Sequence, residues 1–153
     1  MNTKEYRTLV REVLGTYNLW SKPAEDLVVG TSIHESGNFR YNKQVKGPAL
    51  GYIQMEPATY KDLWLNYLAY KPELADKIEA EFGKFISIQP ETLIDNPRLG
   101  VVMCRVHYLR KPGSIPVDLE GQAKYWKKHY NTYLGRGTAE QYVKAYLAHN
   151  VEV

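Results

Sequence analysis

Residues 34–36, His-Glu-Ser, close an apolar run from Leu27 to Ile33 and are followed at once by Gly37. A carboxylate at that place is electrostatically unusual, because the carbonyl end of a helix is the negative pole of its macrodipole and favours cations. Residue types and spacing narrow what Glu35 can do. A zinc-binding His-Glu-x-x-His helix needs a second histidine where this chain has Asn38. His107, His129 and His149 stand apart from one another and read as surface or core residues. The single cysteine, Cys104, lies in the apolar run LGVVMCRVHYL and reads as a buried thiol, which excludes a disulfide framework and a cysteine-rich zinc site. There is no phosphate-binding G-x-x-x-x-G-K-[ST] loop and no G-x-S-x-G nucleophile elbow. What remains is proton transfer by carboxylates, the chemistry of glycosidic-bond cleavage. A general acid must hold its proton near neutral pH, which a free glutamate does not. The negative end of a helix and apolar walls both disfavour the ionised form, so the awkward position of Glu35 is one that raises its pKa.

The elements that must position this group are helical almost throughout. Tyr6, Leu9, Val10, Val13, Leu14 and Tyr17 form one stripe at helical spacing. A second helix begins near Pro23, with Glu25 and Asp26 at its positive pole, and runs to about Glu35. Residues 37–54, GNFRYNKQVKGPALGYIQ, are rich in turn formers and without helical period, which predicts an irregular segment or a short β-hairpin. Pro57 opens a third helix carrying Tyr60, Leu63, Trp64, Tyr67 and Leu68, and Pro72 ends it. Further stripes follow at Leu74, Ile78, Phe82 and Phe85, interrupted at Gly83; at Leu99, Val102, Val106 and Leu109 after Pro97; at Ala123, Trp126, Tyr130 and Tyr133; and at Tyr142, Val143, Tyr146 and Leu147. The expected fold is one mainly α domain over 1–153, since no linker divides a chain of 153 residues with 44% apolar content.

Three short stretches, in order, resemble a known family: ESG at 35–37, GYIQMEPATY at 51–60 and HYN at 129–131. They are similar to the motifs of the soluble lytic transglycosylases, the bacterial and phage peptidoglycan-cleaving relatives of goose-type lysozyme. The family pattern reads Glu-Ser, then Gly-Leu-Met-Gln with Pro-Ala-Thr shortly after, then Ala-Tyr-Asn. DNPRLGVVMCRVHYL at 95–109 is similar to the family's helix between the second and third motifs, and the resemblance covers about residues 24–133. It implies a lysozyme-like fold with the irregular segment following the catalytic helix. Carried over by position, it implies Glu35 as the catalytic acid, Ser36 as its supporting serine and Gln54 as the cleft glutamine. Tyr130 would be the tyrosine that hydrogen-bonds the catalytic carboxyl, with Asn131 beside it. Tyr41, Tyr52 and Tyr60 flank the motifs and are the expected sugar-stacking aromatics, whereas Trp64, Tyr67, Trp126 and Tyr146 read first as core. The chain departs from the pattern with Tyr52-Ile53 in place of Leu-Met, His129 in place of a small residue, and Thr132-Tyr133 in place of Ala-Gly.

The implied reaction breaks the β-1,4 bond between N-acetylmuramic acid and N-acetylglucosamine and closes a 1,6-anhydro ring, with Glu35 acting as acid and then base. It needs no metal or organic cofactor and no second acid. Asp62, Asp95 and Asp118 read as helix-surface or helix-start residues. Glu56, beside Pro57, is the best placed second acid, although a helix-start anion explains it as well. A lysozyme-type muramidase using water on the same polymer is therefore the alternative, and a non-catalytic wall-binding or virion structural module is the third.

Partners and location follow as expectations. The net charge of +3 is mildly basic, and Lys124, Lys127 and Lys128 sit close together. That suits an anionic polymer such as cell wall and is too scattered to predict nucleic-acid binding. The expected partner is the glycan strand of peptidoglycan, met by a monomer either in solution or associated with a virion. No stretch reaches the length of a membrane span, and MNTKEYRTLVREVL lacks a signal peptide's apolar core and cleavage site. Cytoplasmic synthesis is expected, with the wall reached after holin release, export or virion delivery. A phage or prophage origin is the most economical account.

Overall fold

The computed structural model describes residues 1–44, 47–131 and 135–149. Its α-helices, in chain order, are α1 (Thr3–Thr16), α2 (Lys22–Glu35), α3 (Pro57–Asn66), α4 (Pro72–Phe82), α5 (Thr92–Asp95), α6 (Pro97–Leu109), α7 (Leu119–Trp126) and α8 (Ala139–His149). Most boundaries have a local cause. The Asn2 carboxamide accepts the Glu5 N–H at 2.9 Å at the start of α1. Ser21 Oγ accepts the Ala24 N–H at 3.1 Å at the start of α2, where Pro23 occupies the first turn. Pro57, Pro72 and Pro97 each open a helix, and Gly83 ends α4 at φ 114°, a backbone conformation that favours glycine.

The centre of the molecule is α2. Ala24, Leu27, Val28, Val29 and Ile33 are all buried, and the helix packs against α1, α6, α7 and α8. Close approach of α8 depends on Gly30, where an added Cβ would lie 2.1 Å from the Tyr142 hydroxyl. The first half of α2 is clamped to α1 by charge. Arg7, fully buried on the apolar face of α1, meets Glu25 and Asp26 at 2.7 Å each, and Arg11 and the Trp20 indole N–H also reach Glu25. Burial alone would raise the Glu25 pKa, but hydrogen bonds from Arg11, Trp20 and Arg7 overcome it and hold the carboxyl at about 2.

A mainly α architecture matches the apolar periodicity. Between α2 and α3 the irregular alternative holds: among the described residues there are two isolated antiparallel bridges, Lys43 with Leu50 and Leu50 with Met55, and no β-ladder. The chain turns back within residues 51–54 and enters α3 at Pro57, leaving no length for paired strands. Two stripe positions differ from expectation, since Phe85 and Leu147 are exposed. Phe85 follows the helix stop at Gly83, so the periodicity of α4 no longer fixes its direction. The stripe through Ala123 and Trp126 also does not continue as an α-helix, because Lys127–Asn131 form a π-helical turn. Tyr133, its last member, lies outside the described residues. No helix of the described residues is long and apolar enough to cross a membrane.

Candidate active site

Glu35 is the last residue of α2, the helix most deeply packed in the fold, and its carboxyl faces a cleft of about 540 Å³. Gln44, Gln54, Glu56, His107, Tyr130 and Asn131 contribute to the same cleft. The side chain keeps a partial opening to solvent through the cleft, while the protein packed around its carboxyl excludes most of the water that would solvate a charge. This burial pushes the Glu35 pKa up to about 7, against a smaller opposing pull from one hydrogen bond. At that value about half of the molecules carry the acid form at neutral pH.

The hydrogen bond comes from Trp126, whose indole N–H donates to Glu35 Oε2 at 3.1 Å. This corrects the expected role of Tyr130, whose hydroxyl donates instead to the backbone carbonyl of Ile53. The π-helical turn is the physical reason. Trp126 closes α7 while Tyr130 lies on the wider turn that follows it, and their polar groups are directed to Glu35 and to the 51–54 turn respectively. Trp126 is fully buried, as a core reading requires, yet its polar edge serves the carboxyl. A buried indole N–H seeks an acceptor, but Trp64, also buried, leaves its own without one among the described residues, so the stripe alone does not single out Trp126.

Ser36 is buried and works on the backbone. Its Oγ donates to the Ser32 carbonyl at 2.6 Å and accepts the Phe39 N–H at 2.7 Å, fixing the exit from α2 just past Glu35. Gln54 sits on the turn 51–54, between the mutually hydrogen-bonded Leu50 and Met55. Gly51 has φ 75°, and a Cβ there would lie 2.8 Å from the Leu93 carbonyl oxygen, so both conformation and space demand glycine. Gln54 itself holds φ 49°, and its side-chain amide donates to the Gly51 carbonyl at 2.9 Å. Left-handed backbone at a non-glycine residue costs of order 1–3 kcal/mol and recurs at functional sites. Asn131 lines the cleft from the π turn, its Oδ1 accepting from Lys127 Nζ at 2.8 Å.

The cleft also gathers residues that their sequence setting did not mark. His107, isolated in sequence, lines it and packs edge-on against the Tyr130 ring at 4.9 Å between centroids. Burial, helped by the charge of Lys111, pushes its pKa down to about 4, so the imidazole is neutral at physiological pH. Glu56 is both a helix-start anion, preceding Pro57 of α3, and a cleft residue. The two readings of Glu56 are compatible in space.

None of the three expected aromatics, Tyr41, Tyr52 and Tyr60, lines the cleft. Tyr60 is fully buried and donates to the Ile86 carbonyl at 2.6 Å, because its place on α3 faces the core. Tyr52 packs edge-on against Phe39 at 5.2 Å and Tyr6 at 6.2 Å, an aromatic cluster beneath the turn and away from the cleft lining. Tyr41 is exposed beside Gly37. His129 contacts the Tyr125 ring at 4.4 Å, and Thr132 and Tyr133 lie outside the described residues. Among the described residues no cluster of three or more His, Cys, Asp or Glu side chains has the arrangement of a metal site. Comparison with protein-family models, curated proteins and solved structures gave no match to this chain.

Proposed function

We propose that this chain is a peptidoglycan lytic transglycosylase that cleaves the bond between N-acetylmuramic acid and N-acetylglucosamine. The observation that carries the reading is the carboxyl of Glu35 at the end of the central helix, facing a cleft and holding its proton up to about pH 7. The motif order around Glu35, Gln54 and Tyr130 supports the choice of substrate. In the protonated form Glu35 gives its proton to the glycosidic oxygen, and the bond from that oxygen to the muramic anomeric carbon breaks. The resulting carboxylate then takes the proton of the muramic C6 hydroxyl, whose oxygen bonds to the anomeric carbon and closes the 1,6-anhydro ring. Proton count is restored at Glu35 and no water is consumed. Trp126 orients the carboxyl through its N–H, and Tyr130 holds the 51–54 turn that presents Gln54. Action on the wall after holin release, export or virion delivery, as a phage-derived enzyme, belongs to the same proposal.

One observation favours a second reading. Glu56 lines the same cleft as Glu35, and a pair of carboxyl groups in one cleft is what a hydrolase that activates water uses. Mass analysis of the soluble muropeptides released from purified peptidoglycan separates the two. Anhydro products, lighter by one water, support the transglycosylase, and a Glu56→Gln variant should still make them. Hydrolysed products that vanish in Glu56→Gln would establish the muramidase, and a protein that releases nothing would be a binding or structural module.

A further inference from the structure

A second cavity, of about 280 Å³, opens on the other side of α6, with Ser21, Arg105, Lys111, Ser114, Ile115 and Tyr125 on its wall. Arg105 and His107 are two positions apart on α6, about 200° around the helix, so α6 itself separates this cavity from the cleft. The wall carries two cations and no Asp or Glu.

Arg105 stands out among the arginines. Those that are buried or partly buried elsewhere in the described residues meet carboxylates: Arg7 meets Glu25 and Asp26, and Arg98 meets Glu81. Arg105 is also partly buried, yet it makes no ion pair among the described residues, and its hydrogen bond there is from Nε to the Leu19 carbonyl at 3.2 Å. Its two terminal nitrogens, which carry four of the five guanidinium N–H donors, have no hydrogen-bond partner among the described residues. Burial lowers the guanidinium pKa, as expected for a charge that has lost water without gaining a counter-ion. Hydroxyl side chains share the cavity wall with it. Ser21 Oγ accepts the Ala24 N–H and keeps its own proton to donate, and the Tyr125 hydroxyl reaches the Pro112 carbonyl only at 3.5 Å.

We propose that this cavity is an oxyanion-binding site in which Arg105 grips one carboxylate or phosphate group, with Lys111 and the Ser21 hydroxyl completing the shell. A planar guanidinium pairs with either group through two parallel N–H···O bonds, and Lys111 adds a point charge. The volume suits the charged end of a larger molecule and is small for a sugar ring with its neighbours. A phosphodiester polymer and a peptide carboxylate carry the same group and differ in what surrounds it.

The test is a titration of the intact protein with dimethyl phosphate, standing for a phosphodiester, and separately with acetate, standing for a peptide carboxylate. Ionic strength is held constant with chloride, and the Arg105 Nε–H and the backbone amides of Ser114 and Ile115 are followed by NMR. The expected result is a saturable shift at these signals with at least one probe, the tighter of the two naming the source. Arg105→Gln should weaken binding by about tenfold or more, the equivalent of one lost charged hydrogen bond. Lys111→Gln should weaken it severalfold, and Lys4→Gln, far along the chain on α1, should leave it unchanged. If Arg105→Gln fails to fold, Lys111→Gln carries the comparison. Shifts that do not saturate with either probe, or that persist unchanged in the Arg105 and Lys111 variants, would overturn the site.

Discussion

Replacing Glu35 by Gln tests the protonation argument without relying on any substrate. Glutamine has nearly the shape of the neutral acid and keeps a carbonyl oxygen to accept the Trp126 N–H, so packing is preserved. Holding a carboxyl at about 7 in place of its ordinary 4.5 corresponds to roughly 3.5 kcal/mol at about 1.4 kcal/mol per pH unit. Water entering through the cleft trims this, leaving about 1–3 kcal/mol. The sign follows from proton binding. Below about pH 4 the native and unfolded states both hold the proton at this site, and the contribution of Glu35 is fully present. Between 4.5 and 7 the native state binds the proton more than the unfolded chain does, so stability falls as pH rises and the loss is complete above 7. Glutamine does not titrate and suffers no such loss. Wild type and Glu35→Gln should therefore have equal stability at pH 4, and the variant should be about 1–3 kcal/mol more stable at pH 8. For a domain of this size that is a rise in Tm of about 2–10 °C. Urea and thermal unfolding at the two pH values supply the comparison. A variant no more stable than wild type at pH 8 would mean that Glu35 is an ordinary solvated carboxylate, and the acid role would fall with it. The same variant should lose muropeptide release by about 10²–10⁴-fold while staying folded.

Trp126→Phe removes the donor that favours the ionised carboxyl, so the Glu35 pKa should rise further and the alkaline limb of the pH–rate profile should move to higher pH, with turnover down about tenfold. An unmoved limb would show that the indole is core packing alone. Tyr130→Phe leaves the Ile53 carbonyl without its donor and should cost about 1–3 kcal/mol in a denaturant titration, with the Glu35 pKa by carbon-13 NMR nearly unchanged, since that hydroxyl does not touch the carboxyl. Gly30→Ala places a methyl group against the Tyr142 hydroxyl and should destabilise the α2–α8 packing by about 1–3 kcal/mol, measurable as a lowered Tm.

The local grammar of the chain fixes the helices and, with them, the oddity of Glu35. Pro23, Pro57, Pro72, Pro97, Gly83 and the caps at Asn2 and Ser21 act within one turn of where they stand, so helix starts and stops are readable from neighbours alone. That Glu35 lies at a negative helix end is such a local fact, whereas the burial that raises its pKa comes with the tertiary fold. The identity of its partner is not local either. The Trp126 N–H that reaches it comes from 91 residues away, and the Tyr130 hydroxyl reaches Ile53 across 77. An apolar stripe shows that Trp126 faces inward, but every inward aromatic on α7 and α3 gives the same pattern, and Tyr60, which meets Ile86 instead, is indistinguishable from a cleft residue on that basis. The π turn at 127–131 is equally hidden, because one residue's change of register depends on what the side chains pack against. Arg7 is buried in α1 because Glu25 and Asp26 from α2 and the Tyr146 hydroxyl from α8 meet its guanidinium, partners that no neighbour in sequence supplies. Backbone preferences and caps are decided by a few consecutive residues. Which donor meets which acceptor is decided by distances that close only when the whole chain has folded.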